Sequence, residues 1–371
     1  MSEKLVKDIL TSYQKSLKFY KDFKTHKSLH WQRLISKKNF AINKNNLENF
    51  RNNNLSYGHD DSNKITKDQF QNLIKKILLQ TGSKFFFKNL SKNNIGYLKN
   101  IFYYHNYKID AGEIFFVKWL YDLKKIISNK NIKYVCEIGG GYGGFAKKIV
   151  KNLSCKYILI DLPETNCLSS FYLKKNFPKK KFLLYSDLKN NLITQDHLNK
   201  FDIIIMPPWV KLYKLNIDLF INTRSMMEMN YNIIQYYFNL IHENISKNGY
   251  FLNINRYAKF RVGHPIFLKD YPYDNNWEVL ISKKSWQQDH IHFLLTQRKF
   301  NFITNPIHKE MYMIEKETHN HIQPDEVRYL NKNYFKNKNK NIILKNLLIF
   351  FLPKKLHYFL KINFFKILNK F

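Results

Sequence analysis

The sequence predicts an α/β fold: a mostly parallel sheet with helices on both faces, preceded by a helical region and followed by a tail. Three observations carry this. Between residues 111 and 300, short apolar runs alternate with helix-length segments, the pattern of a parallel sheet covered on both sides. One run ends in a glycine-rich turn, EIGGGYGG, where a helix begins. The next run ends in an aspartate, Asp161.

The elements follow in order. Residues 1–110 are polar, with apolar residues at helical spacing in 5–23 and 69–79, and read as a helical accessory or cap region. Residues 111–300 form the sheet domain. A helix over 111–127 leads to a strand at 134–138, a helix at 145–152 and a strand at 156–160. A helix at 164–176 then precedes strands at 182–185 and 202–206. A long helix over 226–245 leads to a strand at 250–255. The runs 277–282 and 291–298 have no helix between them and pair as an antiparallel edge. Residues 301–371 form a C-terminal extension, Lys/Asn-rich at 331–341 and basic, apolar and acid-free from Ile342.

Charge is large but unspecific. Among 371 residues, 62 Lys plus Arg face 28 Asp plus Glu, for a net charge of +34. The excess is 55 Lys against 7 Arg, beside 45 Asn and 4 Ala, the bias of an AT-rich genome. Arginine, the residue of bidentate phosphate and base contacts, is scarce, which disfavours a nucleic-acid partner. Cys136, Cys155 and Cys167 form no CxxC pattern, and free core thiols in a reducing cytoplasm are expected. The N-terminus has charges throughout and reads as no signal peptide. No run of 18 apolar residues occurs.

The turn after 134–138 is the strongest feature. Gly139, Gly141 and Gly144 satisfy GxGxxG, the dinucleotide fingerprint of a Rossmann-like site. Glu137, two residues earlier, would repel a pyrophosphate but suits an ammonium group. Glu137, Gly139, Gly141 and Gly143 spell E-x-G-x-G-x-G, which fits S-adenosylmethionine: the glycines admit the methionyl and ribose portions and the acid orients the amino end. Asp161, 22 residues after Gly139, is placed to hold ribose hydroxyls. Asp187, closing 182–185, is expected near the adenine amino group, and Pro207 is assigned to the cofactor side.

The segments EIGGGYGG, ILIDLPET, FINTRSMMEMN, NGYFLNINRY and HFLLTQR resemble the bacterial sugar O-methyltransferase family of the class I fold, across roughly residues 110–300. A weaker similarity lies at 49–61. The resemblance implies methyl transfer from S-adenosylmethionine to a sugar hydroxyl, often in surface polysaccharide or glycolipid synthesis.

A sugar hydroxyl is a weak acid, so a base or metal ion is expected beside it. In an open α/β sheet the site lies beyond the carboxyl ends of the strands. Candidates for catalysis are His264, His290, His292 and Glu228. Alternation puts His290 and His292 on one strand face, and with Asp289 they have donors for a divalent cation, without a specific spacing. Trp209, Arg224, Asn255 and Arg256 are the expected substrate contacts. Ser225 and Glu228 also spell a capping box. Met206-Pro207-Pro208-Trp209, read as following the fourth strand, resembles the loop of amino-methylating enzymes acting on nucleic acid or protein, but Met206 cannot hold an amine. That activity is the alternative, and a nicotinamide oxidoreductase the third class. The tail from Ile342 could lie on the inner face of the cytoplasmic membrane or pack on the body.

Overall fold

A computed structural model describes residues 3–20, 28–37, 42–52, 65–98, 101–262, 265–286 and 289–322. His264 and the tail expected at the membrane lie outside the described residues. The N-terminal part gives helices α1 (Glu3–Tyr20), α2 (Leu29–Lys37), α3 (Lys44–Glu48), α4 (Lys67–Thr81) and α5 (Ser83–Lys88), then a hairpin of β1 (Phe102–Tyr104) and β2 (Tyr107–Ile109). The alternating part follows as α6 (Ala111–Ile127), β3 (Tyr134–Ile138), α7 (Gly144–Leu153), β4 (Lys156–Ile160), α8 (Pro163–Asn176), β5 (Phe182–Leu184), β6 (Leu192–Ile193), α9 (Gln195–Lys200) and β7 (Ile203–Met206). It continues with β8 (Lys211–Leu212), β9 (Ile217–Thr223), α10 (Tyr231–Asn244), β10 (Ile245–Arg256), β11 (Ala258–Lys259), β12 (Ile266–Phe267), β13 (Trp277–Lys284), β14 (Ile291–Arg298) and α11 (Ile307–Thr318).

Eight strands form the central sheet in the order β13-β14-β10-β9-β3-β4-β7-β5. All neighbours from β10 to β5 run parallel, and β14 enters antiparallel between β10 and β13. This is a doubly wound, Rossmann-like sheet with an antiparallel edge at β14 and β13. Local sequence explains the framework. Every residue of β3 is buried, as a strand covered on both faces requires. Asp110 caps α6 through the Gly112 N–H at 2.8 Å, and Pro163 opens α8 at a position that needs no donor. One face packs α6, α7 and α8 around Trp119, Phe145 and Leu168; the other packs α9 and α10 around Leu198, Ile234 and Phe238.

The N-terminal helices add to these layers. Phe70, Ile74, Ile77 and Phe86 of α4 and α5 share a core with Ile114 and Val117 of α6. Helix α1 lies along α8, and Lys15 donates to the carbonyls of Ser186 and Leu188 at 3.1 and 2.6 Å. Among the described residues, no helix is long and apolar enough to cross a membrane. Cys136, Cys155 and Cys167 are free and buried.

One expectation is corrected and one element is added. The run 217–223, assigned to no element from the sequence, is a central strand, β9. The expected helix over 226–245 begins only at Tyr231, after a 3-10 turn at Met226–Glu228. An apolar run buried on both faces has no periodicity to separate it from a helix start. The strand before Pro207 therefore holds the third place, outside β4, while β9 holds the fourth, against β3. Chain progression reverses between β3 and β9, which makes that gap the switch point where such sheets bind ligands.

A chain of asparagines locks the switch point. Asn222, at the end of β9, donates from Nδ2 to the Ile138 carbonyl at 2.8 Å and to Ser225 Oγ at 2.9 Å. Its Oδ1 accepts from the Met226 N–H and from Asn255 Nδ2, at 3.1 and 2.8 Å. Asn255 also donates to Asn253, which donates to Tyr273. Asn222, Asn253 and Asn255 are wholly buried, so each lost partner carries a desolvation cost. Asn222→Ala is expected to lower stability by about 2–4 kcal/mol, read as a shift in the urea midpoint at unchanged slope.

Candidate active site

The glycine loop turns sharply at the switch point. Gly139, Gly141 and Gly143 have φ of +72°, +58° and +89°, the left-handed region where a Cβ is disfavoured. At Gly139 space is refused as well: a Cβ would collide with Ser225 Oγ. The Gly139 N–H donates to the Ile160 carbonyl at 2.7 Å, fastening the loop to β4.

Two carboxyls lie against this loop. Asp161 accepts from the Gly141 N–H (2.8 Å) and the Leu162 N–H (2.7 Å), one on each oxygen. Each oxygen keeps a lone pair for a ligand hydroxyl. Burial pushes the Asp161 carboxyl up to about 7; the two N–H bonds oppose this, and Glu164 and Glu228 add to it. Glu137 is wholly enclosed, with Oε2 accepting from Tyr157 Oη at 2.6 Å and Oε1 without a partner. Burial raises it to about 7, the Tyr157 bond pulls it down, and Asp161 pushes it up. A Cβ on Gly140 would lie 2.7 Å from Glu137 Oε2, so this carboxyl is the floor of the loop. An orphaned carboxylate oxygen and two carboxyls poised near neutrality fit a cationic nucleoside and oppose an anionic pyrophosphate.

Beyond β9 the chain gathers polar groups. Arg224 takes φ +58° and donates its N–H to the Ile254 carbonyl at 2.7 Å. A non-glycine residue held there is strained, a mark of functional edges. Glu228 Oε1 accepts from Lys259 Nζ, and its Oε2 lies 3.7 Å from His30 Nε2. Burial would raise Glu228, but Lys259, His30 and Arg224 outweigh it and hold the carboxyl below its ordinary value. Glu228 also acts on Asp161, so this cluster stands beside the loop. The capping box is not made: the Ser225 side chain caps no helix and instead packs over Gly139.

The sheet thus brings together Glu137, Gly139, Gly141, Gly143, Asp161, Arg224 and Glu228. Pro207 follows β7 beside them, where the Asp161 N–H donates to the Met206 carbonyl at 3.2 Å. Four other expectations change. Asp187 is exposed at the end of β5, three strands and roughly 14 Å from β3, because β7 takes the place expected for its strand. Trp209 is buried, donates to Tyr185 Oη at 3.1 Å and packs on Tyr20, so its face is not open to a substrate. With the fourth place taken by β9, the Pro-Pro-Trp loop also stands away from the position an amine-gripping loop needs. Asn255 is wholly committed to the asparagine chain.

His292 is a satisfied core residue. Its Nδ1 pairs with Tyr257 Oη at 2.8 Å and its Nε2 with Ser282 Oγ at 2.7 Å. Burial drives it down to about 3, with His321 adding to the effect. His290 precedes β14 instead of alternating with His292 along it, and its carbonyl accepts the Tyr257 N–H. Arg256 ends β10, half-buried at the same edge. Among the described residues, no group of three His, Cys, Asp or Glu could hold a metal ion. Sequence reading missed His30 and Lys259. Lys259 is masked by the lysine-rich background, and His30 reaches Glu228 across almost 200 residues, which no local pattern records.

No protein-family model matches the chain, and no curated protein does. Solved structures similar to it include the pyocyanin biosynthetic protein PhzM (11% identity, 51% of this chain and 58% of that one, TM-score 0.33). The mitomycin 7-O-methyltransferase MmcR is similar at 11% identity, over 51% and 57%, with a TM-score of 0.33. TehB from Haemophilus influenzae is similar at 17% identity, over 48% and 61%, with a TM-score of 0.31. The chain covers less than two thirds of each, and likeness at this level decides nothing about substrate.

Two outcomes follow from the buried groups. The His292 ring is expected to stay neutral at pH 5 in a nitrogen-detected NMR titration, where an ordinary histidine is protonated. Glu137→Gln keeps an acceptor for Tyr157 and removes a buried charge. Native Glu137 binds its proton up to about pH 7, whereas unfolded glutamate releases it near pH 4.3. Wild-type stability is therefore lost as pH rises between those values. The variant should be more stable by about 3–4 kcal/mol at pH 8 and show little advantage at pH 4, by chemical denaturation at both.

Proposed function

We propose that the protein is an S-adenosylmethionine-dependent O-methyltransferase acting on a sugar hydroxyl, in the synthesis of a surface polysaccharide or glycolipid. One observation carries the cofactor: three left-handed glycines at the switch point, flanked by two buried carboxyls poised near neutrality. The resemblance of the sheet segments to the sugar O-methyltransferases supports the acceptor. Sugar, sugar nucleotide or glycan is the partner this reading requires.

Bound S-adenosylmethionine supplies an electrophilic methyl group on a sulfonium. Asp161 accepts the ribose hydroxyls, Gly139 and Gly141 let backbone approach the ligand, and Glu137 sets a negative floor for its positive charge. Glu228, kept ionised by Lys259, accepts the hydrogen bond of the acceptor hydroxyl and stabilises the positive charge that grows on that oxygen as it is alkylated. A carboxylate below its usual pKa stores a proton poorly, so its service is orientation and electrostatics, with the proton passing on to water. Arg224 and Arg256 stand at the mouth for polar groups of the acceptor.

Calorimetry should show binding of S-adenosylmethionine and S-adenosylhomocysteine but not NAD. Gly141→Val and Asp161→Ala should each weaken that binding more than tenfold. Glu228→Gln should keep it while slowing transfer of labelled methyl to a sugar-nucleotide panel or glycan extract by about 10²-fold. Tight NAD binding without cofactor discrimination would sink the reading.

A further inference from the structure

The two oxygens of Glu228 are in different situations. Oε1 accepts from Lys259 Nζ, while Oε2 faces His30 Nε2 at 3.7 Å. That gap is longer than a hydrogen bond, so ring and carboxylate stand opposed without a closed bond between them. Their side chains are 23% and 17% exposed, which shelters the pair and still leaves the ring a route to water.

His30 arrives from outside the sheet domain, in the first turn of α2. Ser28 opens that helix: the Gln32 N–H donates to its carbonyl at 2.9 Å and the Trp31 N–H to its Oγ at 3.4 Å. Ser28 is itself buried, so the turn that carries the ring is anchored in the body of the protein.

Lys259 of β11 and Arg224 at the end of β9 help to hold Glu228 ionised, and Glu228 in turn acts on Asp161 beside the glycine loop. A carboxylate held ionised is a poor resting place for a proton, but it stabilises an imidazolium that forms next to it. Histidine is the side chain whose ordinary titration falls near neutrality. His292 cannot serve in this way, because both its ring nitrogens are engaged in the core.

We propose that His30 takes the proton that leaves the acceptor hydroxyl, with Glu228 as the carboxylate between them. This rests on the methyltransferase reading and adds the proton's route to it. As the hydroxyl oxygen bonds to the methyl carbon, the carbon–sulfur bond breaks and its electron pair stays on sulfur. The hydroxyl proton crosses to Glu228 Oε2 and on to His30 Nε2, and the partly exposed ring releases it to water. The accessory region thereby supplies a residue of the reaction.

Nitrogen-detected NMR of the full chain tests the placement without an acceptor. The His30 midpoint should move to lower pH in Glu228→Gln, which removes the facing charge. It should also lie lower with S-adenosylmethionine bound than with S-adenosylhomocysteine, because only the former carries a cation. Lys259, Arg224 and Asp161 are the same in both ligand states, as is Arg33 one turn along α2. Activity gives the second arm. At saturating S-adenosylmethionine, which removes the pH dependence that Glu137 and Asp161 give to binding, transfer of labelled methyl to the sugar-nucleotide panel should rise with pH through the histidine range. His30→Ala should be about 10²-fold slower, lose that rise and regain rate on adding imidazole, with S-adenosylhomocysteine affinity kept. His30→Gln carries the same expectations if His30→Ala fails to fold. His308→Ala, exposed on α11, should change none of these. Equal His30 midpoints with the two ligands, or a His30 variant that keeps the pH rise, overturn the proposal. Failure to bind either ligand instead removes the methyltransferase reading, and this proposal with it.

Discussion

The carboxyl edge depends on one amide. Asn222 ties the last carbonyl of β3 to the turn that follows β9, and through Asn255 it reaches β10. Three parallel strands are thereby held at their ends by side chains, where the ladder of backbone bonds runs out. Ser225 is part of the same bracket and fills the space a Cβ on Gly139 would need. The glycine at that position answers two demands at once, one of backbone angle and one of volume. Loss of the amide would free the loop that both carboxyls face.

Electrostatics at this edge follow from the same closeness. Glu137 and Asp161 sit within a low-dielectric layer and share one field, so neither is comfortably ionised. Glu228 lies near enough to Asp161 to add to that strain but is itself relieved by Lys259, His30 and Arg224. Three acids within one mouth therefore differ in state because their neighbours differ. Among the described residues no cation relieves the first two, and the third has Lys259, His30 and Arg224.

The accessory region is more than a cover. It brings His30 to Glu228, Arg51 to the glycine loop and Ser91 to Lys147. Its helices were legible from apolar spacing, since Phe70, Ile74 and Ile77 recur on one face and are buried as that spacing requires. Their contribution to the site was not legible, because it consists of single polar side chains arriving from distant chain positions.

Local chemistry in the sequence determined the β3–loop–α7 unit, the adjoining β4 with Asp161, and the antiparallel pair β13 and β14. Each is written in residues close together, where glycine angles, strand burial and turn composition act over a few positions. Tertiary structure alone decided the place of β9, and with it which loops face the switch point. It moved Asp187 and the Pro-Pro-Trp loop away from their expected roles, buried Asn255 and His292 inside hydrogen-bond networks, and drew His30 and Lys259 in. Strand order and desolvation are properties of the packed sheet, and an apolar run such as 217–223 reads alike as strand or helix start until its neighbours are in place.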